Sequence, residues 1–189
     1  MSRKDKYIEI NYQVLKTGDV VICGGVGPIG YFVRMFTAGF KKRHDSKVST
    51  HTAIVVEFHG QKLIAEMKGT TGKIELSSLE EYLVNRRRFI LDIRRFLNMD
   101  DNDRNMIAEQ IAYDLRKGLE YDYKGIAEFI FKKAEDDKNK NYCSEYFYAL
   151  TDACDKFYTK AQRTKFNKKV SPLDLQLVDS LFPVNWRKD

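Results

Sequence analysis

The stretch His51-Thr52-Ala53-Ile54-Val55-Val56-Glu57-Phe58-His59-Gly60-Gln61-Lys62-Leu63-Ile64-Ala65-Glu66-Met67 decides how the chain is read. Thr52 to Phe58 is rich in β-branched and apolar residues, so it predicts a strand that His51 opens. His59-Gly60 is a turn signal, and Gln61 to Met67 returns as a second strand. A two-residue turn fixes the register: Phe58 faces Gln61, and Ala53 faces Glu66. Side chains alternate along a strand, so His51, Ala53, Val55 and Glu57 share one face with Ile64 and Glu66. Glu66 then becomes the diagonal neighbour of His51, about 7–8 Å away by backbone and within side-chain reach. Glu57 lies six residues along the strand, roughly 20 Å off, too far to orient His51. A loop one residue longer or shorter would turn Glu66 to the opposite face.

Working outward, residues 1–14 read as a lead-in with a short extended piece at Tyr7-Ile8-Glu9-Ile10. Gly18-Asp19 is a turn, and Val20-Val21-Ile22-Cys23 reads as a buried strand. A glycine-rich segment, Gly24 to Gly30, leads to a short amphipathic helix at Tyr31 to Phe36 and a basic loop from Lys41 to Ser49. Beyond the hairpin come a loop at Gly69 to Lys73, a short helix at Leu79 to Val84 and a strand at Phe89 to Arg94. Phe89, Leu91 and Ile93 would alternate on one side of that strand. Asp100 to Lys117 is the clearest helix, with a stripe of Ile107, Ile111 and Leu115, an acidic start, a basic last turn and Gly118 after it. Tyr121 to Lys133 is aromatic-rich and reads as helical after Asp122. Near the C-terminus, Ser171 is placed to cap a short helix with Pro172 at its first position. Strands come mainly first and helices last, which argues for an α+β fold with an antiparallel sheet packed against helices, a single domain over residues 1–189.

The chain has 189 residues, 43% of them apolar and 13% aromatic, enough for a globular core. Its net charge of +6 would favour anionic partners. The basic runs Lys41-Lys42-Arg43, Arg86-Arg87-Arg88 and Lys168-Lys169 are short and scattered, so a solvated basic surface is the preferred reading and no nucleic acid partner is expected. Three widely spaced cysteines form neither a disulfide framework nor a CxxC zinc motif, which suits a reducing compartment. Met1 to Lys6 is charged and leads into no apolar region, and no apolar run is long enough for a membrane span. The expectation is a cytoplasmic protein without a signal peptide. The oligomeric state is not legible.

The candidate for chemistry is Asn141-Tyr142-Cys143-Ser144-Glu145. A polar loop ends here and an apolar helical pattern begins, with Phe147, Leu150 and Cys154 on the Cys143 face. A cysteine in the first turn of a helix meets free N–H groups and the positive dipole end, which favour its thiolate. A small buried core residue is the alternative. A thiolate nucleophile needs a base, usually a histidine held by a third polar group. His44 lies in a basic loop and His59 at the hairpin tip, which leaves His51. Glu66 would orient it, unless it is an edge carboxylate or forms a salt bridge with Lys68. Two rival sites are legible. Gly25-Val26-Gly27-Pro28-Ile29-Gly30, with Asp45 further on, fits a dinucleotide loop, but a hairpin follows it rather than a crossover. Cys143, His51 and Glu66 are ligand types that zinc accepts, yet a fourth ligand is not evident, so no metal and no cofactor are expected.

Together, a histidine opening a strand, a glutamate on the next and the Tyr142-Cys143-Ser144-Glu145 helix start resemble the circularly permuted papain-like amidases, the YiiX-like branch of the NlpC superfamily. Leu15-Lys16-Thr17-Gly18-Asp19-Val20-Val21, Tyr121-Asp122 and Ser171-Pro172-Leu173-Asp174-Leu175 are also similar to that family, so the resemblance runs from about residue 15 to 183. It implies that Cys143 is the nucleophile, His51 the base and Glu66 the residue that orients it. It further implies that Tyr121, Asp122, Tyr142 and Glu145 line or brace the substrate site. The segment Tyr31 to Lys47 departs from the family pattern. The implied activity is a cysteine hydrolase, an amidase or peptidase acting on a small or cell-wall-type peptide, with an anionic substrate suggested by the Lys/Arg excess. The alternatives are a lipid-directed acyltransferase or esterase of the same fold, with Tyr31 to Phe36 as an acyl-chain lip, and a non-catalytic binding module.

Overall fold

The computed structural model describes residues 11–24, 47–68, 70–86, 90–121, 140–141, 143–166 and 170–187. The expected extended piece at Tyr7-Ile10, the Gly25–Gly30 loop, Asp45, the Tyr31–Phe36 helix and the helix after Asp122 lie outside these residues. Among the described residues, no helix is long and apolar enough to cross a membrane.

The fold is α+β. Among the described residues, one sheet of eight strands runs β7-β6-β4-β3-β2-β1-β5-β8. Its strands are β1 (Val20–Cys23), β2 (His51–Phe58), β3 (Gln61–Lys68), β4 (Lys73–Ser78), β5 (Ile90–Phe96), β6 (Glu120–Tyr121), β7 (Lys140–Asn141) and β8 (Leu181–Pro183). All neighbours pair antiparallel except β6 and β7, which are parallel. The helices are α1 (Leu79–Arg86), α2 (Asp101–Lys117), α3 (Cys143–Asp152), α4 (Lys160–Phe166) and α5 (Pro172–Gln176).

The central hairpin has the register its turn dictates. Phe58 pairs with Gln61, and the ladder continues to Ile54 opposite Ala65. His59 and Gly60 both take positive φ, 51° and 77°, the two left-handed residues that match a tight turn to the twist of the strands. The Val20–Cys23 strand lies between β2 and β5 and is buried along its whole length, which is why its sequence runs continuously apolar.

The sheet buries both faces. Val20, Ile22, Ile54, Val56, Ala65 and Met67 pack under Ile107, Ile111, Cys143, Phe147 and Leu175 from α2, α3 and α5. Val21, Cys23, Ala53, Val55 and Ile64 face the other way, against Leu79, Tyr82 and Leu83 of α1, with Leu15 and Trp186. Burying side chains of this size contributes about 1.5–3 kcal/mol each, so the two faces together hold the sheet between its covers.

One expectation needs correction, and one strand comes in addition. Phe89, Leu91 and Ile93 were expected to alternate on one face. Phe89 is outside the described residues, and the buried positions in β5 are Ile90, Ile93 and Phe96. The cause is a bulge: Ile22 pairs with Asp92 but Cys23 with Ile90, so Leu91 is the extra residue and the strand shifts face there. Strand β4 carries little sequence signal, because only Ile74 and Leu76 are apolar in it and Leu76 sits at the surface.

The caps agree with the sequence. Asp100 and Asp103 form a reciprocal capping box at the start of α2, and Gly118 ends it at φ 66°. Ser171 and Asp174 do the same for α5, with Pro172 in its first turn. The turn before β1 is built around Asp19, fully buried, which accepts two hydrogen bonds of 2.6 Å from Arg95 and one of 2.9 Å from the Lys16 N–H. Gly18 has φ 88°, and a Cβ there would run into the Met99 side chain, so this turn admits glycine alone without rearrangement.

Candidate active site

Cys143 is the first residue of α3, and the rest of that helix is pinned on several sides. The buried Ser144 Oγ donates to the Val170 carbonyl at 2.7 Å, just before the α5 cap. Tyr146 Oη donates to Asp114 Oδ2 at 3.0 Å, and Gln110 Nε2 donates to Asp114 Oδ1 at 2.8 Å, which ties α3 to α2. Burial pushes the Asp114 carboxyl up, and these two donors oppose that shift. The apolar face of α3, with Cys143, Phe147 and Leu150 buried, lies on the sheet as its spacing predicts. Cys154 falls beyond the helix and is half-buried.

His51 is held from behind. Thr50 N–H donates to the Cys23 carbonyl at 2.9 Å. Ser49 N–H donates to Gln176 Oε1 at 3.1 Å, while Gln176 Nε2 donates to the Lys47 carbonyl at 3.2 Å. A single glutamine at the end of α5 thus fixes the loop that delivers His51. This explains how the Ser171–Leu175 stretch, far away in sequence, bears on the site.

Glu66 lies on β3 on the His51 side, 2% exposed, and its Oε2 is 2.7 Å from His51 Nε2. Lys68, the alternative partner for Glu66, instead pairs with Glu75 at 3.0 Å. A carboxylate can only accept, so Nε2 carries the proton and Nδ1 is the ring nitrogen left for Cys143. Tyr82 Oη, from α1, donates to the same Glu66 oxygen at 3.3 Å. Tyr82 carried no functional signal in the sequence, since it reads only as part of the buried stripe of a short helix.

The imidazole also contacts the Cys143 thiol. For His51, burial favours the neutral ring, but the charges and hydrogen bonds of Cys143 and Glu66 outweigh it and push its pKa up to about 9. For Cys143, burial raises the thiol pKa, but the His51 charge and hydrogen bond, aided by Thr52, bring it below the usual 9.0. Both shifts favour one pair of states, imidazolium beside thiolate. Cys154 moves the other way: burial and the nearby Asp103 push its thiol up to about 11.

The remaining expected site residues are placed less fully. Tyr121 pairs through its backbone with Asn141, two residues before Cys143. Glu145 is half-buried in the first turn of α3, and positions two apart on a helix do not face the same way, so it is turned from the Cys143 face. Asp122 and Tyr142 lie outside the described residues, as does His44. His59 sits at the hairpin tip, at the opposite end of β2 from His51.

With this geometry in view, the comparisons with solved structures carry weight for the fold. It resembles that of YiiX. The crystal structure of metalloprotein YiiX from Escherichia coli O157:H7 superposes with a TM-score of 0.62 at 15% identity, over 90% of this chain and 97% of that one. No family model and no curated relative matches the chain. The likeness to YiiX therefore supports the α+β architecture, while the chemistry is argued from the residues of this chain.

Proposed function

We propose that the protein is a cysteine hydrolase that cleaves an amide bond, with Cys143 as nucleophile, His51 as acid and base, and Glu66 as the group that fixes the ring. The observation that carries this reading is His51, bonded to the buried Glu66 at 2.7 Å on one side and in contact with Cys143 on the other. The thiolate attacks the carbonyl carbon, and the developing oxyanion is met by N–H groups at the start of α3, the Cys143 N–H foremost. The His51 imidazolium protonates the leaving amine. The neutral ring then takes a proton from water as that water attacks the thioester, the C–S bond breaks and the thiolate returns. Glu66 holds the Nε2 proton in place through both steps and stays ionised.

YiiX is described as a metalloprotein. The donor set here does not fit a metal centre. His51 and Glu66 bond each other directly rather than turning toward a shared point, and among the described residues no three His, Cys, Asp or Glu side chains group to hold an ion.

The substrate proposed is a small peptide amide carrying free carboxylates, in keeping with the net charge of +6. The test is hydrolysis of γ-glutamyl and diaminoacyl peptide amides beside acyl esters, each with Cys143→Ala as control. Release from the amides that vanishes in Cys143→Ala is expected. Release from the esters alone would overturn the amide preference in favour of a lipid-directed enzyme. Release that survives Cys143→Ala would overturn the hydrolase itself.

A further inference from the structure

Thr52 follows His51 in β2, and its surroundings single it out. Its side chain points to the sheet face that carries α3, because Ile54 and Val56, two and four residues on, pack in the cluster with Cys143 and Phe147. Thr52 is 1% exposed, yet among the described residues its Oγ1 makes no hydrogen bond of standard geometry. Buried hydroxyls are ordinarily paired, so this one calls for a partner. Its backbone is equally placed. Val55 N–H donates to Asp19 and Glu57 N–H to Thr17, so the odd-numbered N–H groups of β2 face the β1 side and the even-numbered ones face β3. Pairing with β3 ends at Ile54 opposite Ala65, which leaves the Thr52 N–H at an opening between the two strands. Helix α3 packs on β2, and both the N–H and the side chain of Thr52 act on the Cys143 sulfur and favour its thiolate.

We infer that Thr52 is a further catalytic residue, whose N–H and rotating hydroxyl both donate to the Cys143 sulfur when it is the thiolate. This rests on the reading of Cys143 as nucleophile. A thiolate is a strong acceptor and a thioester sulfur a weak one, so the two donors act selectively. They stabilise the sulfur before attack and again as the leaving group, when water adds to the thioester carbonyl, its proton passes to His51, the C–S bond breaks and the electron pair returns to sulfur. In the acyl-enzyme the hydroxyl loses its acceptor, which favours breakdown of that intermediate.

The test is the pH profile of iodoacetamide alkylation at Cys143 in Thr52→Val and Thr52→Ser, with thermal unfolding as a check on the fold. Valine keeps the shape and removes the hydroxyl. The midpoint of the profile is expected to rise by about one pH unit, a tenfold loss of thiolate on its acid side. The plateau above the midpoint should rise about threefold, because thiolate nucleophilicity increases with pKa at a slope of roughly 0.4–0.5. Serine should keep the wild-type profile. A merely structural residue would not move midpoint and plateau in this linked way. If Thr52→Val unfolds, Thr52→Ala carries the same comparison. An unmoved midpoint in a folded variant lacking the hydroxyl, or an equal shift in Thr52→Ser, would overturn the inference. A shifted midpoint without turnover of any substrate would take down the hydrolase and leave the thiolate contact standing. Turnover that depends on Cys143 with an unmoved midpoint would do the reverse.

Discussion

His51→Ala should slow alkylation of Cys143 at pH 7 by about tenfold or more, since each unit of thiol pKa regained is a tenfold loss of thiolate at that pH. Burial alone pushes this thiol upward, and the charge and hydrogen bond of His51 are the largest forces that bring it down. Without the imidazolium, Thr52, through its N–H and side chain, and the start of α3 are the stabilising groups left. Alanine also leaves Glu66, 2% exposed, without its cationic partner. Breaking a buried pair in this way costs on the order of 3–5 kcal/mol of stability, so His51→Gln, which keeps a donor for the carboxylate, is the companion variant. Both variants should show the slowed reaction, measured as site-resolved alkylation rates. A Cys143 that reacts at the wild-type rate in both would mean that the imidazole does not set its state.

Glu66→Gln should lower turnover on the order of 10²- to 10⁴-fold while leaving the fold intact, as expected when the group that fixes a histidine tautomer is neutralised. The amide keeps the volume of the carboxylate and still accepts from Tyr82, but it removes the negative charge beside Nε2. The His51 pKa, held up at about 9 with help from that charge, must then fall. The sign matters for the pH dependence. Turnover needs the thiolate and the imidazolium together, so the active window opens as pH rises through the depressed Cys143 pKa and closes as His51 loses its proton near pH 9. In Glu66→Gln the alkaline edge should move down. Full activity with an unmoved His51 titration, followed by NMR, would mean that another group orients the ring.

How legible the site was depends on which part is considered. The hairpin could be read because His59-Gly60 is a two-residue turn, and a two-residue turn leaves one register. That register put Glu66 beside His51, where the structure has it. The start of α3 could be read because a polar loop gives way to a helical stripe at Cys143. Other features depend on tertiary contacts that no local pattern encodes. The Leu91 bulge arises from pairing with β1, and strand β4 from pairing with β3, neither of which its own residues announce. Thr52 reads as an ordinary β-branched strand former, and only the end of the β2–β3 ladder gives its N–H and hydroxyl a different task. Gln176 reaches Lys47 and Ser49 across most of the chain, a contact visible only once the chain is folded.

The three cysteines separate thiolate chemistry from plain accessibility. Cys154 is half-buried, while Cys143 is 7% exposed and Cys23 3%. Exposure alone would put Cys154 first. Charge reverses that order, because its thiol is pushed up to about 11 while that of Cys143 is brought down. At pH 7 a thiol with a pKa near 11 is about one part in 10⁴ thiolate. Brief iodoacetamide exposure at pH 7, with the modified sites mapped by mass spectrometry, should therefore find the label on Cys143 before either of the others. Label on Cys154 first, or equally on all three, would contradict the assignment of Cys143 as the nucleophile.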